Sequence, residues 1–149
     1  MLFAGDTKNE SYTKIVRDKI YQNNLKNICK ILGSINQDEM RSLYQIADLS
    51  VSFPLRAEGF GRTISESLYS NTPVLAFDYG GVKNQLENLS DLFKVKPYDY
   101  KALPLKIEAI LSLTDKHQKK FLQEAKLLID KNFSKTNMLN KYLKLYESV

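Results

Sequence analysis

A parallel sheet covered by helices, an α/β fold of the doubly wound, Rossmann-like kind, is what this sequence predicts, and three observations carry the prediction. Short apolar runs rich in β-branched residues alternate with segments whose apolar residues recur at helical spacing. Glycine turns close several of those runs, at Gly5, Gly33 and the pair Gly80-Gly81. The length is 149 residues with 43% hydrophobic content, enough for one domain with a proper core and too little for two. In a sheet of this kind helices cover both faces, and ligands bind beyond the carboxyl ends of the strands.

The elements follow in order. Met1 to Ala4 is a strand stub that ends in the turn Gly5-Asp6. Tyr12, Ile15, Val16 and Ile20 recur at helical spacing and predict an amphipathic helix from Glu10 to about Asn23. Ile28 to Leu32 reads as the next strand, with Cys29 as core packing. Asn36 and Glu39 form a capping pattern for a helix striped by Met40, Leu43, Tyr44 and Ala47. Leu49 to Phe53 and Val74 to Phe77 suit buried strands. After the turn Asp78-Tyr79-Gly80-Gly81, a short helix runs through Val82 to Leu86 and a strand through Leu92 to Val95. Asp99 caps a helix carrying Leu103, Ile107, Ile110 and Leu111, with Pro104 in its first turn. Lys116 to Asp130 is a further helix, and Ser134 caps a last one bearing Met138, Tyr142, Leu145 and Tyr146.

Chemistry concentrates between the third and fourth strands, in Arg56 to Val74. Gly59 and Gly61 let the backbone turn sharply and approach a ligand, and Thr63 to Ser70 can wind into roughly two helical turns. The start of that helix attracts anions, because unpaired N–H groups and the positive end of the dipole coincide there. With Glu58 closing the strand and Glu66 in the first full turn of the helix, two carboxylates border one cleft. Such a pair accepts hydrogen bonds from hydroxyls while the helix start takes phosphates. That is the set of groups a nucleotide-diphosphate sugar requires.

Glu58 and Glu66 flank Gly-Phe-Gly and precede Asn71-Thr72-Pro73-Val74 and Asp78-Tyr79-Gly80-Gly81. This pattern resembles the E-x7-E signature of retaining glycosyltransferases, and more narrowly family 4, the glycosyl transferases group 1, which have the two-domain GT-B architecture. The likeness runs along nearly the whole chain, including Gly5-Asp6, Leu32-Gly33, Ala47-Asp48, Phe53-Pro54 and Asn132-Phe133-Ser134. It implies a donor-binding domain over residues 1–132 and a C-terminal crossover helix over 133–149 that packs toward a partner domain. It assigns Glu58 to the transferred sugar, in the catalytic position, and Glu66 to the ribose hydroxyls. Gly59, Phe60, Gly61, Thr63 and Ile64 would line sugar and diphosphate, and Gly33, Ser34 and Ile35 would lie near the base. The substrate implied is a nucleotide-diphosphate sugar carrying a hexose-type unit, passed to a glycan or lipid-linked acceptor in cell-envelope polysaccharide synthesis. No resident cofactor is implied.

The sequence also departs from that pattern. The family's donor domain starts one strand earlier, with a Gly-Arg turn and a Lys that hold the diphosphate, and this chain begins after both. In the order 3-2-1-4-5-6 the first strand is central, so its loss leaves a gap that another strand, a second copy or shifted packing would fill. Exposed edges there would favour self-association. Arg62 is a candidate to replace the missing charges on the diphosphate. The N-terminal acceptor domain is absent as well, so the chain is expected to be part of a longer enzyme or a truncated product beginning at Met1. In either case it should bind donor weakly and transfer little alone, and a non-catalytic nucleotide-sugar binding or interaction module stays open as the alternative.

Composition narrows the rest. A single cysteine excludes an internal disulfide and fits a reducing compartment. No run approaches the ~20 apolar residues of a membrane span, and the first residues lack the form of a signal peptide, so a cytoplasmic protein is expected. The net charge of +5 has its lysines gathered toward the end, which allows peripheral contact with an anionic membrane face. No recognition motif supports nucleic-acid binding. His117 reads as a surface residue, and no cluster has metal-ligand spacing.

Overall fold

The structure is a computed structural model that describes residues 1–148. It divides into two compact units, Met1–Leu43 and Tyr44–Val149.

In the N-terminal unit, β1 (Leu2–Ala4) pairs in parallel with β2 (Lys30–Gly33), and helix α1 (Glu10–Gln22) connects them. The side chain of Asn9 caps α1 by accepting from the Tyr12 N–H at 3.0 Å. Helix α2 (Gln37–Ile46) begins with a reciprocal box: Asn36 Oδ1 accepts from the Glu39 N–H, and Glu39 Oε2 from the Asn36 N–H, each at 2.9 Å. The expected strand over Ile28 to Leu32 starts two residues late. Ile28 and Cys29 donate their N–H groups to the Leu25 carbonyl, so a turn uses the donors that a ladder would need. Cys29 is half-buried rather than core, and Ile28 is exposed. Thr13 is the one residue of this unit that is fully buried, and Tyr12 and Ile15 of the predicted stripe are exposed.

Every buried apolar residue among those described lies in the second unit. Its three parallel strands run in the order β3 (Ser50–Ser52), β4 (Val74–Phe77), β5 (Lys94–Val95). The central β4 is buried throughout, as its uninterrupted apolar run requires. Helices α3 (Arg62–Tyr69), α4 (Gly80–Leu86), α5 (Leu103–Leu111) and α6 (Asp115–Phe133) place Ile64, Leu68, Val82, Leu86, Ile110, Phe121 and Ala125 in the same core. Thr114 caps α6 and Ser134 caps the last helix, α7 (Lys135–Glu147). The strand expected over Leu92 to Val95 is shorter, because Ser90 caps a 3-10 turn over Asp91–Phe93 before β5 starts.

Among the described residues no ladder joins β1 to β3, so each has one hydrogen-bonded neighbour.

Candidate functional site

Strand β3 stops at Ser52, so Glu58 does not close the strand as expected; it lies in the loop from Phe53 to Gly61 that leads into α3. Two tyrosines anchor the first half of that loop. The Tyr79 hydroxyl donates to the Pro54 carbonyl, and the Tyr98 hydroxyl donates to the Leu55 carbonyl at 2.7 Å. Both rings pack beside Phe77 at the end of β4.

The second half of the loop rests on the other glycine turn. The Gly81 N–H donates to the Glu58 carbonyl at 2.9 Å. A Cβ on Gly81 would overlap the Gly59 carbonyl and the Phe60 Cα, and one on Gly80, whose φ is +59°, would lie 2.7 Å from the Glu58 carbonyl oxygen. Side chains are therefore excluded where the two turns touch. Gly61, at φ +77°, is the N-cap of α3, in the left-handed region that glycine adopts freely. Gly59 does not have a positive φ, and a Cβ there would meet open space, so the turn itself does not demand glycine at that position.

No side chain caps α3. Ile64 returns its N–H to the Gly61 carbonyl at 3.0 Å, while the Arg62 and Thr63 N–H groups have no acceptor among the described residues. Thr63 and Arg62 are exposed, so this helix start opens to solvent. It is an anion-seeking end without an anion partner from the protein backbone.

The carboxylates take up different neighbourhoods. Glu58 is exposed, and its Oε2 lies 3.5 Å from the place a Gly61 Cβ would occupy, beside the N-cap. The Tyr79 hydroxyl is pushed above its ordinary range by burial first, then by Tyr98 and more weakly by the charge on Glu58. Glu66 is half-buried on α3, and with burial as the larger cause it pushes the Tyr44 hydroxyl up to about 12. That hydroxyl, like Oδ1 of Asp78, is buried without a hydrogen-bond partner. No hydrogen bond joins Glu58 to Glu66 among the described residues.

A buried glutamine of this site also went unnoticed in the sequence. Gln85 on α4 is 2% exposed, and its side-chain amide donates to the Phe60 carbonyl and, at 3.2 Å, to the Gly61 carbonyl. Its Oε1 accepts from Ser65 Oγ at 2.6 Å. Val82, Gln85, Leu86 and Leu89 are spaced i, i+3, i+4, i+7, so a glutamine on the apolar face of a short helix was the available signal. Phe60 also stacks edge-on against Phe133, with ring centroids 5.4 Å apart.

Of Gly33, Ser34 and Ile35, expected near the base, Gly33 ends β2 and the other two follow it in the N-terminal unit; Gly33 has φ +75° and its carbonyl accepts from the Gly5 N–H at 3.0 Å. That unit also holds an open cleft of about 450 Å³ lined by Arg17, Tyr21, Lys26 and Lys30, residues that belong to no motif. His117 is exposed and pairs with Thr114. Among the described residues no group of three metal-binding side chains occurs, and no helix is long and apolar enough to cross a membrane.

Residues 1–128 match the family described as Glycosyl transferases group 1. A glycosyltransferase from Rickettsia africae is similar at 31% identity and a TM-score of 0.86, over 99% of this chain and 39% of its own. HepE from Anabaena, solved with UDP and glucose, is similar at 22% identity and a TM-score of 0.83, over 99% of this chain and 40% of its own. Sucrose-phosphate synthase from Thermosynechococcus elongatus shares the fold at 20% identity and a TM-score of 0.77, again over 99% of this chain and 39% of its own. No curated protein matches significantly. This chain thus spans about 40% of the length of such structures, one Rossmann-like domain of a GT-B architecture. It belongs to the glycosyl transferases group 1 family.

Proposed function

We propose that this chain binds the nucleotide-diphosphate sugar donor of a retaining glycosyltransferase, with the diphosphate at the start of α3. The carrying observation is the uncapped helix start at Gly61, with free N–H groups on Arg62 and Thr63 open to solvent. In this reading Glu66 accepts from the ribose hydroxyls, Glu58 faces the transferred hexose, and Arg62 adds a positive charge beside the diphosphate. Backbone groups of Gly59, Phe60, Gly61, Thr63 and Ile64 line the donor. Positioning and stabilisation of the leaving diphosphate supply the catalytic effect.

UDP-glucose is the first donor to try, because HepE is also known in complex with it. Transfer would further need an acceptor-binding domain corresponding to the part of the relatives that this chain does not span. The same 40% share supports a second reading, a module that binds donor without turning it over. Cell-envelope polysaccharide synthesis at the cytoplasmic face of a membrane is the setting proposed. Thermal melting with a panel of nucleotides and nucleotide sugars tests the reading: a nucleotide sugar should raise the melting temperature of the wild type and lose most of that effect in Glu66→Ala. Equal responses in the two proteins would remove Glu66 from the site.

A further inference from the structure

We infer that Gln85 is a positioning residue for the donor, acting through the backbone of the glycine loop; the inference rests on the donor-binding reading above. The orientation of its amide is fixed by its partners. Two carbonyl oxygens, those of Phe60 and Gly61, can only accept, so the NH₂ end must face them, and Ser65 Oγ then donates to Oε1. Both N–H donors of a side chain that is 2% exposed are thereby committed to two consecutive peptide groups of the loop.

The consequence follows from peptide geometry. In a trans peptide the C=O and the next N–H point in opposite directions. Holding the Phe60 carbonyl to Gln85, and the Gly61 carbonyl to Gln85 together with the Ile64 N–H, therefore turns the Gly61 and Arg62 N–H groups to the opposite side of their peptides, at the uncapped start of α3. Gln85 aims two backbone donors at the place where a diphosphate would sit, although it touches no ligand itself. Gly81 beneath Glu58 and Phe133 against Phe60 hold the same loop from other sides without orienting these two peptides, and the Ile64 N–H shares only the Gly61 carbonyl, so the Phe60 carbonyl has Gln85 as its partner.

The test uses Gln85→Met, which keeps volume and burial while removing both donors. In the free protein, hydrogen exchange at the Gly61 and Arg62 amides should quicken while exchange in β4 stays unchanged. The Kd for UDP-glucose should weaken by about tenfold or more. Ser65→Ala, a milder change that releases only Oε1, should weaken it by a smaller factor. Ile110→Val, a core change on α5, serves as the stability control and should leave the Kd unaltered at a similar loss of melting temperature. A wild type that binds UDP-glucose while Gln85→Met binds it equally well, or no worse than Ile110→Val, overturns this inference alone. A wild type that binds neither nucleotides nor nucleotide sugars overturns the donor-binding reading and this inference together.

Discussion

Gly81→Ala probes the contact between the two glycine turns directly. The new Cβ would stand 2.5 Å from the Phe60 Cα and closer still to the Gly59 carbonyl, both backbone atoms that cannot swing aside as a side-chain end can. Carbon atoms rest at roughly 3.5 Å or more, so the turns must part by about 1 Å. Overpacking of this kind costs about 1–3 kcal/mol. Stretching the Gly81 N–H bond to the Glu58 carbonyl adds about 1 kcal/mol. The sum, about 2–4 kcal/mol, lowers the melting temperature by roughly 5–15 °C in a chain of this size. Gly59→Ala is the paired control, because its Cβ meets open space and its φ is not positive. It should melt within about 2 °C of the wild type. Any loss of nucleotide affinity in that variant would then report the close approach of ligand to backbone, separately from folding. Circular-dichroism melts and calorimetric titration of the two variants read both quantities. Gly81→Ala melting like the wild type would refute the packing of the turns.

Further outcomes follow from the same geometry. Tyr44→Phe removes a buried hydroxyl that has no partner, and should stabilise by about 1 kcal/mol, seen as a rise of about 2–4 °C in melting temperature. Because that hydroxyl is pushed from its ordinary 10.0 to about 12 in the folded protein, the unfolded chain loses its proton first. Its contribution is therefore complete below pH 10 and declines as pH rises from 10 to 12, so wild-type stability should fall more steeply than that of Tyr44→Phe across that window. Ser67→Ala strands the Thr72 carbonyl, 3.0 Å from Ser67 Oγ, and the Ser50 hydroxyl, 2.7 Å away. Denaturant unfolding should show a loss of about 1–3 kcal/mol. Arg62→Ala should leave the melting temperature unchanged, since the side chain is exposed, and weaken UDP-glucose binding by about tenfold; unchanged affinity would end its role at the diphosphate.

The order of strands and helices was legible because short apolar runs mark the strands and a polar cap opens several helices, as Asn36 with Glu39 and Ser134 do. The β2 start was misplaced because an apolar Ile28-Cys29 fits a strand by composition, whereas the Leu25 carbonyl had already drawn both amides into a turn. The glycine motif was visible, yet the reason for each glycine was not. Gly61 needs its backbone conformation, Gly80 and Gly81 need the missing side chain, and only contact between turns distant in sequence distinguishes these from Gly59. The contacts that Tyr79, Tyr98 and Gln85 make to the loop escaped notice for the same reason. These residues serve the loop through hydrogen bonds to its backbone carbonyls, which no side-chain pattern records.

Backbone NMR of the ¹⁵N-labelled chain titrated with UDP-glucose tests the central claim most directly. The account predicts saturable shifts largest at the Gly61, Arg62 and Thr63 amides, carried into Glu66. Shifts confined to the α1 and β2 cleft around Lys26 and Lys30, or none at millimolar ligand, would contradict it.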